Sequence, residues 1–136
     1  MEFQQGAYRI QGIDLIELTK EFGTPLYVYD ADKIVFQLKT LKTAFADSNV
    51  KIKYAAKALT NISILRLLKK FGSDVDVVSI QEAQLALRAG FEPSQIMYTP
   101  SGVDFSEIIE AVTLGLTINL DNLSVQIGRA SCRERV

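Results

Sequence analysis

The sequence predicts an α/β fold in which parallel strands are joined by helical crossovers, and three observations carry that expectation. Apolar runs of helical length begin on acidic or hydroxyl residues and end on glycines. That polarity is what free N–H groups at one helix end and a left-handed residue at the other impose. Short β-favouring runs lie between them, and the connections are tight.

Taken in order, Asp14-x-x-Glu17 opens a short helix that stops at Gly23. Asp30 precedes a longer helix in which Ile34, Leu38, Leu41 and Phe45 fall on one face, a stripe expected to meet a core. Asn61 or Ser63 begins a run closed by Gly72. Ser79-x-x-Glu82 begins the next, closed by Gly90, and Asp104-x-x-Glu107 the last, closed by Gly115. The intervening strands are expected over Val50 to Ala55, Val75 to Val78, Ile96 to Thr99 and Leu116 to Leu120. Periodicity leaves two architectures open, a doubly wound sheet or the first half of a (β/α)8 barrel. A complete barrel takes roughly 250 residues, so four strands would be about half of one.

After Ser124 another helix is due, but the chain reads Ile127-Gly128-Arg129-Ala130-Ser131-Cys132-Arg133-Glu134-Arg135-Val136. This string resembles the translation of a sequencing-adapter read-through, so residues 127–136 are set aside from fold reasoning as a non-native tail. The alternative is a native basic C-terminal turn. The expected organisation is then 1–30, an N-terminal helix and strand; 31–126, the strand–helix repeat; and 127–136, the tail.

The 136 residues carry a net charge of −1 with lysine and arginine scattered, so no basic stripe marks a nucleic-acid or anionic-membrane partner. No apolar run reaches the length of a membrane span, and the opening residues lack the layout of a signal peptide; the expected location is cytoplasmic. The single cysteine cannot form an internal disulfide. The absence of histidine removes the commonest metal ligand and general base, so no zinc site or Ser-His-Asp chemistry is expected, and no metal.

Lys57, in Lys53-Tyr54-Ala55-Ala56-Lys57-Ala58, falls just past the end of the first strand of the repeat. In a (β/α)8 fold that end carries the catalytic side chains. A partly desolvated lysine there has its amine freed to form a Schiff base with an aldehyde cofactor, although position alone fits a solvated surface lysine better.

Gly23-Thr24-Pro25-Leu26-Tyr27-Val28-Tyr29-Asp30 followed by Tyr54-Ala55-Ala56-Lys57-Ala58 resembles the opening of the diaminopimelate decarboxylase family, whose YAxKA lysine binds pyridoxal phosphate. Asp76-Val77-Val78-Ser79 with Glu82, Ala89-Gly90-Phe91, Ile96-Met97-Tyr98-Thr99-Pro100 and Ile118-Asn119-Leu120-Asp121 follow in the family's order. The resemblance implies the N-terminal half of a pyridoxal-phosphate-binding (β/α)8 barrel, truncated before the remaining strands and a C-terminal β-domain, to which Leu26 to Tyr29 would lend a strand. It implies Lys57 as the catalytic and cofactor-binding lysine, with Asp76, Ser79 and Glu82 near the cofactor. It implies, for the full-length enzyme, a homodimer that decarboxylates meso-2,6-diaminopimelate to L-lysine.

Many family members read Ser-Gly-Gly-Glu where this chain has Ser79-Ile80-Gln81-Glu82, and Ser-x-x-Glu before an apolar run is equally a helix cap. Asp76 fits a strand-end turn as well as a site, and Asn119 and Asp121 fit a turn or a cap better. The family's ring-stacking histidine, phosphate loop and second domain belong to later segments, so the fragment alone is expected to be inactive. Alternatives on the same fold are an ornithine, arginine or carboxynorspermidine decarboxylase. A racemase fits less well, because Lys57 is followed by Ala58-Leu59-Thr60 and not by an Ala-Tyr-Gly-like run. A non-catalytic pyridoxal-phosphate-binding homologue is the alternative of another class.

Overall fold

The computed structural model of the chain describes residues 1–4 and 6–120; Asp121 and the 127–136 tail lie outside the described residues. The chain opens with an antiparallel meander, β1 (Glu2–Gln4), β2 (Ala7–Ile10) and β3 (Ile13–Asp14), which the sequence reading did not anticipate. Its second turn places Gln11 (φ 52) and Gly12 (φ 79) both in the left-handed region. That pairing matches the right-handed twist of the flanking strands. Phe3 and Tyr8 face each other across the first pair with ring centroids 5.0 Å apart.

Helix α1 (Leu15–Phe22) starts on Asp14, whose carboxylate accepts from the Ile16 N–H, and ends at Gly23. Residues 26–29 then run without a strand partner. Tyr27 is 83% exposed, and the strand that Leu26 to Tyr29 would lend to a C-terminal β-domain has no neighbour among the described residues. The composition suits a strand, but a strand exists only where a neighbour accepts its hydrogen bonds.

Helix α2 (Ala31–Ala44), capped by Asp30, leads into β4 (Lys53–Ala55), and a single 3-10 turn, Ala56–Ala58, follows. The repeat continues through α3 (Ile62–Lys70), β5 (Asp74–Val77), α4 (Ile80–Ala89), β6 (Ile96–Tyr98), α5 (Phe105–Thr113) and β7 (Thr117–Ile118). The strands are parallel and lie in the order β4-β5-β6-β7, each beside its sequence neighbour. A doubly wound sheet would reverse direction within the order and take helices on both faces. Consecutive order with every crossover on one side is the winding of a partial (β/α)8 barrel.

The helices stop as the glycines require. Gly72, Gly90 and Gly115 have φ of 75°, 98° and 73°. Behind each runs the same pair of bonds: Ser73 N–H to Leu68 O with Gly72 N–H to Lys69 O, Phe91 to Ala86 with Gly90 to Leu87, and Leu116 to Ala111 with Gly115 to Val112. These are Schellman closures, and Phe91 and Leu116 are buried where the motif brings in an apolar residue. Lysines of one helix also close the next. Lys42 Nζ donates to Phe71 O at 2.8 Å and Lys69 Nζ donates to Gly90 O, each placing a cation at a helix C-terminus.

At the other ends, Asn61 caps α3 through the Ser63 and Ile64 N–H groups, and Ser79 caps α4. Asp104 stands at the start of α5 but its side chain makes no capping bond. Only its carbonyl is used, by the Glu107 N–H.

The core lies between the sheet and helices α3, α4 and α5. Val75, Val77, Ile96 and Tyr98 point from the strands toward Leu65, Ile80, Ala83, Ala86, Ile108 and Ala111 on the helices. Burying a leucine or isoleucine of this kind contributes about 1.5–3 kcal/mol each. The α2 stripe departs from expectation. Leu38 is buried, but Leu41 and Phe45 are each 45% exposed. Ile34, Leu38 and Leu41 line an open groove of about 460 Å³ with Ile52, Tyr54 and Leu68, because β4 is an edge strand and the core does not close over it.

Candidate functional site

Strand alternation sorts the sheet into two chemistries. With Val75 and Val77 turned to the helices, Asp74 and Asp76 turn to the opposite, concave face. Register then places Lys53 beside Asp74, Ala55 beside Asp76 and Met97 beside Asp76 from the other side. The concave face of β5 is therefore polar where its convex face is apolar. Lys53 and Asp74 form an ion pair at 3.3 Å near the amino ends of the strands. The carboxyl ends are where the turn carrying Lys57, the Asp76 carboxylate and the residues after β6 and β7 gather.

Lys57 sits in the 3-10 turn directly after β4, its side chain exposed. Among the described residues it makes no hydrogen bond or ion pair, so the desolvated setting expected for it is not provided by these residues. The turn itself is braced. The Leu59 N–H donates to Ala56 O at 3.0 Å, and the Tyr54 hydroxyl donates to Leu59 O at 3.2 Å. Burial pushes the Tyr54 hydroxyl pKa up, with Tyr29 adding to the shift.

Asp76 accepts the Thr99 hydroxyl on Oδ1 at 2.6 Å, a charge-assisted bond between the ends of neighbouring strands. Its Oδ2 takes no hydrogen bond from the described residues. Ser79 and Glu82 are both engaged in the start of α4. The Glu82 N–H donates to Ser79 Oγ at 3.2 Å, and Glu82 Oε2 accepts from the Val78 N–H at 2.9 Å. The capping assignment of Ser79-x-x-Glu82 is thus the one the geometry realises, with the reciprocal bond taken one residue before the cap. Both side chains still stand at the carboxyl end of β5, one turn from Asp76. Asn119, after β7, is exposed, and its N–H extends the ladder to Tyr98 O at 2.8 Å.

Thr99 is the polar residue that the sequence reading left without a role. The signal available was a hydroxyl at a strand end, immediately before Pro100, at the place in its repeat that Lys57 takes after β4. No group of His, Cys, Asp and Glu able to hold a metal occurs among the described residues, and no described helix is long and apolar enough to cross a membrane.

Comparison with known proteins gives a consistent result. Residues 31–127 match the family model described as pyridoxal-dependent decarboxylase, pyridoxal binding domain. A diaminopimelate decarboxylase of Methanothermobacter thermautotrophicus is 41% identical over 122 residues, 88% of this chain and 28% of the relative. The crystal structure of the M. jannaschii diaminopimelate decarboxylase superposes with a TM-score of 0.91 at 31% identity, covering 98% of this chain and 32% of that one. The Helicobacter pylori enzyme, crystallised with L-lysine, gives a TM-score of 0.83 at 35% identity over 89% of this chain and 31% of its own. The chain thus spans about a third or less of the length of the proteins it matches.

Proposed function

Because this chain belongs to the pyridoxal-dependent decarboxylase family, as its pyridoxal binding domain, we propose that Lys57 is the residue that holds pyridoxal phosphate, in a full-length protein that decarboxylates meso-2,6-diaminopimelate to L-lysine. The observation that carries this reading is the placement of a lysine amine, without a partner among the described residues, at the carboxyl end of β4, inside Tyr54-Ala55-Ala56-Lys57-Ala58 and inside the matched segment. Relatives named diaminopimelate decarboxylase support the substrate.

The residues present fit such a cofactor. An amine with no competing partner is what condensation with an aldehyde requires. Asp76 offers a second polar group at the same end of the sheet, with Oδ2 open to a ligand. Ser79 and Glu82 complete the proposed cofactor contacts through atoms that their capping bonds leave over. When bound, the cofactor supplies the electron-accepting ring for loss of carbon dioxide. The chain's own work is to present the Lys57 amine on a turn braced by Tyr54 at the sheet edge, and to keep the Asp76 carboxylate at the same end of the sheet.

The proposal extends to organisation. Residues 1–30 serve a β-domain contributed by later sequence, 31–126 the barrel, and 127–136 are non-native; the full-length enzyme works as a cytoplasmic homodimer. The fragment alone does not turn over, since one lysine and one carboxylate do not supply the binding energy that positions a cofactor for reaction.

The test begins with sequencing the genomic locus past codon 126. A frame continuing into a phosphate-binding loop and a second domain is the expected result, and the extended protein then releases carbon dioxide from meso-diaminopimelate, with Lys57→Ala abolishing it. Decarboxylation by the 136-residue chain itself, lost on Lys57→Ala, would overturn the inactivity of the fragment. An extended protein indifferent to Lys57→Ala would overturn the assignment of the lysine.

A further inference from the structure

We infer that Thr99 is a positioning residue for the cofactor site: its hydroxyl fixes the Asp76 carboxylate so that Oδ2 is held available to a ligand at Lys57. This inference rests on the assignment of Lys57 made above.

Three constraints aim the hydroxyl. The Thr99 N–H donates to Val77 O at 2.8 Å, which extends the β5–β6 ladder one residue past the strand and fixes the backbone. Pro100, buried, follows directly and confines Thr99 to an extended conformation. The β-branched side chain has few χ1 wells open to it in that conformation. The result is a 2.6 Å bond to Asp76 Oδ1, at the short end for a hydroxyl on a carboxylate.

Asp76 needs such a restraint. It lies on the concave face, away from the core that locks Val75 and Val77, and its register neighbours there, Ala55 and Met97, offer it no hydrogen bond. Ala55 is also two residues before Lys57, so the carboxylate and the amine rise from adjacent strands at the same end of the sheet. With Oδ1 held by Thr99, the Asp76 side chain is kept in one χ1 rotamer and Oδ2 becomes the defined acceptor. A serine keeps this bond, whereas valine keeps only the shape.

The experiment compares the 136-residue chain with Thr99→Val and Thr99→Ser. Three-bond couplings by NMR report the Asp76 χ1 rotamer. Separately, incubation with pyridoxal phosphate, borohydride reduction and peptide mapping report the rate at which Lys57 is labelled. The expected result is one Asp76 rotamer in the parent and in Thr99→Ser, averaged rotamers in Thr99→Val, and labelling of Lys57 slowed roughly tenfold in Thr99→Val alone, the scale of one lost charge-assisted hydrogen bond. A single Asp76 rotamer in Thr99→Val overturns the inference, as does unchanged labelling once the rotamers average. Absence of labelling at Lys57 in the parent defeats the cofactor assignment instead, and the rotamers still decide whether Thr99 holds Asp76. Should Thr99→Val not fold, the unaltered chain answers: a Thr99 hydroxyl proton protected from exchange supports the bond, and an unprotected one overturns it.

Discussion

Tyr54 and Leu59 are joined across the turn that carries Lys57, the phenol of the middle residue of β4 donating to the first carbonyl after the turn at 3.2 Å. The bond spans five residues and encloses Ala55 to Ala58, so the lysine backbone is held from both sides. The strand residue with the large ring therefore serves the site and not only the groove it lines.

Tyr54→Phe keeps the ring and removes the donor. The expected cost is about 0.5–1.5 kcal/mol of stability, the net value of one such bond. Amide exchange at the residues of the turn should rise by more than at β5, and a urea titration read together with exchange checks both. A uniform rise across the sheet would assign Tyr54 to general packing instead.

Tyr98 makes the opposite prediction. It is fully buried, its hydroxyl has no partner among the described residues, and burial raises its pKa, with Glu107 and Glu110 adding to the shift. A buried donor without an acceptor costs about 1–3 kcal/mol. Tyr98→Phe is therefore expected to stabilise the chain, by up to about that amount, with a higher urea midpoint and an unchanged slope. A loss of stability would mean that the hydroxyl has a partner that this geometry does not provide.

Asp30 gives a pH dependence. It caps α2 through the Lys33 N–H at 3.0 Å and accepts Gln11 Nε2 at 3.0 Å, joining the meander to the barrel segment. The Lys33 bond is the main cause holding its carboxyl below the ordinary value of 3.8. A depressed folded-state pKa means stability that is present above that value and lost as pH falls through the folded-state pKa. Asp30→Ala is expected to be less stable than the parent at neutral pH, with the two unfolding midpoints converging at pH values below 3.8. A gap independent of pH would show that the charge plays no part.

Much of this fold was legible in the sequence because its signals are local. Asn61, Ser79, Gly72, Gly90 and Gly115 mark helix ends through bonds made within a few residues, and the structure uses each of them in that way. The position of Lys57 at a strand end followed from the same punctuation. What was not legible depends on partners far along the chain. Residues 26–29 have strand composition but no strand beside them among the described residues, and Leu41 and Phe45 have a helical stripe over which no described layer closes. The N-terminal meander escaped for another reason, since strands of two to four residues are too short for alternation to register, although Gln11-Gly12 was a visible turn signal. Thr99 and Asp76 are 23 residues apart, and only register brings them together.

The lysines that close neighbouring helices supply a last test, because two glycines of the same kind differ in what lies above them. Gly72 and Gly115 both end helices at positive φ, so alanine at either costs about 1–2 kcal/mol in backbone strain alone. A Cβ at Gly115 would meet Pro93 at an ordinary 3.7 Å, whereas one at Gly72 would lie 2.6 Å from Lys42 Nζ. That ammonium is flexible and can retreat, but retreat breaks its bond to Phe71 O and removes a cation from the end of α3. Gly72→Ala is therefore expected to cost about 1 kcal/mol more than Gly115→Ala. In a Lys42→Met background that bond is already gone, and the ammonium no longer has to be displaced. There the two glycine substitutions should cost the same to within the error of a urea titration. A difference that survives Lys42→Met would place the extra cost in the backbone of the α3 turn and not in the lysine contact.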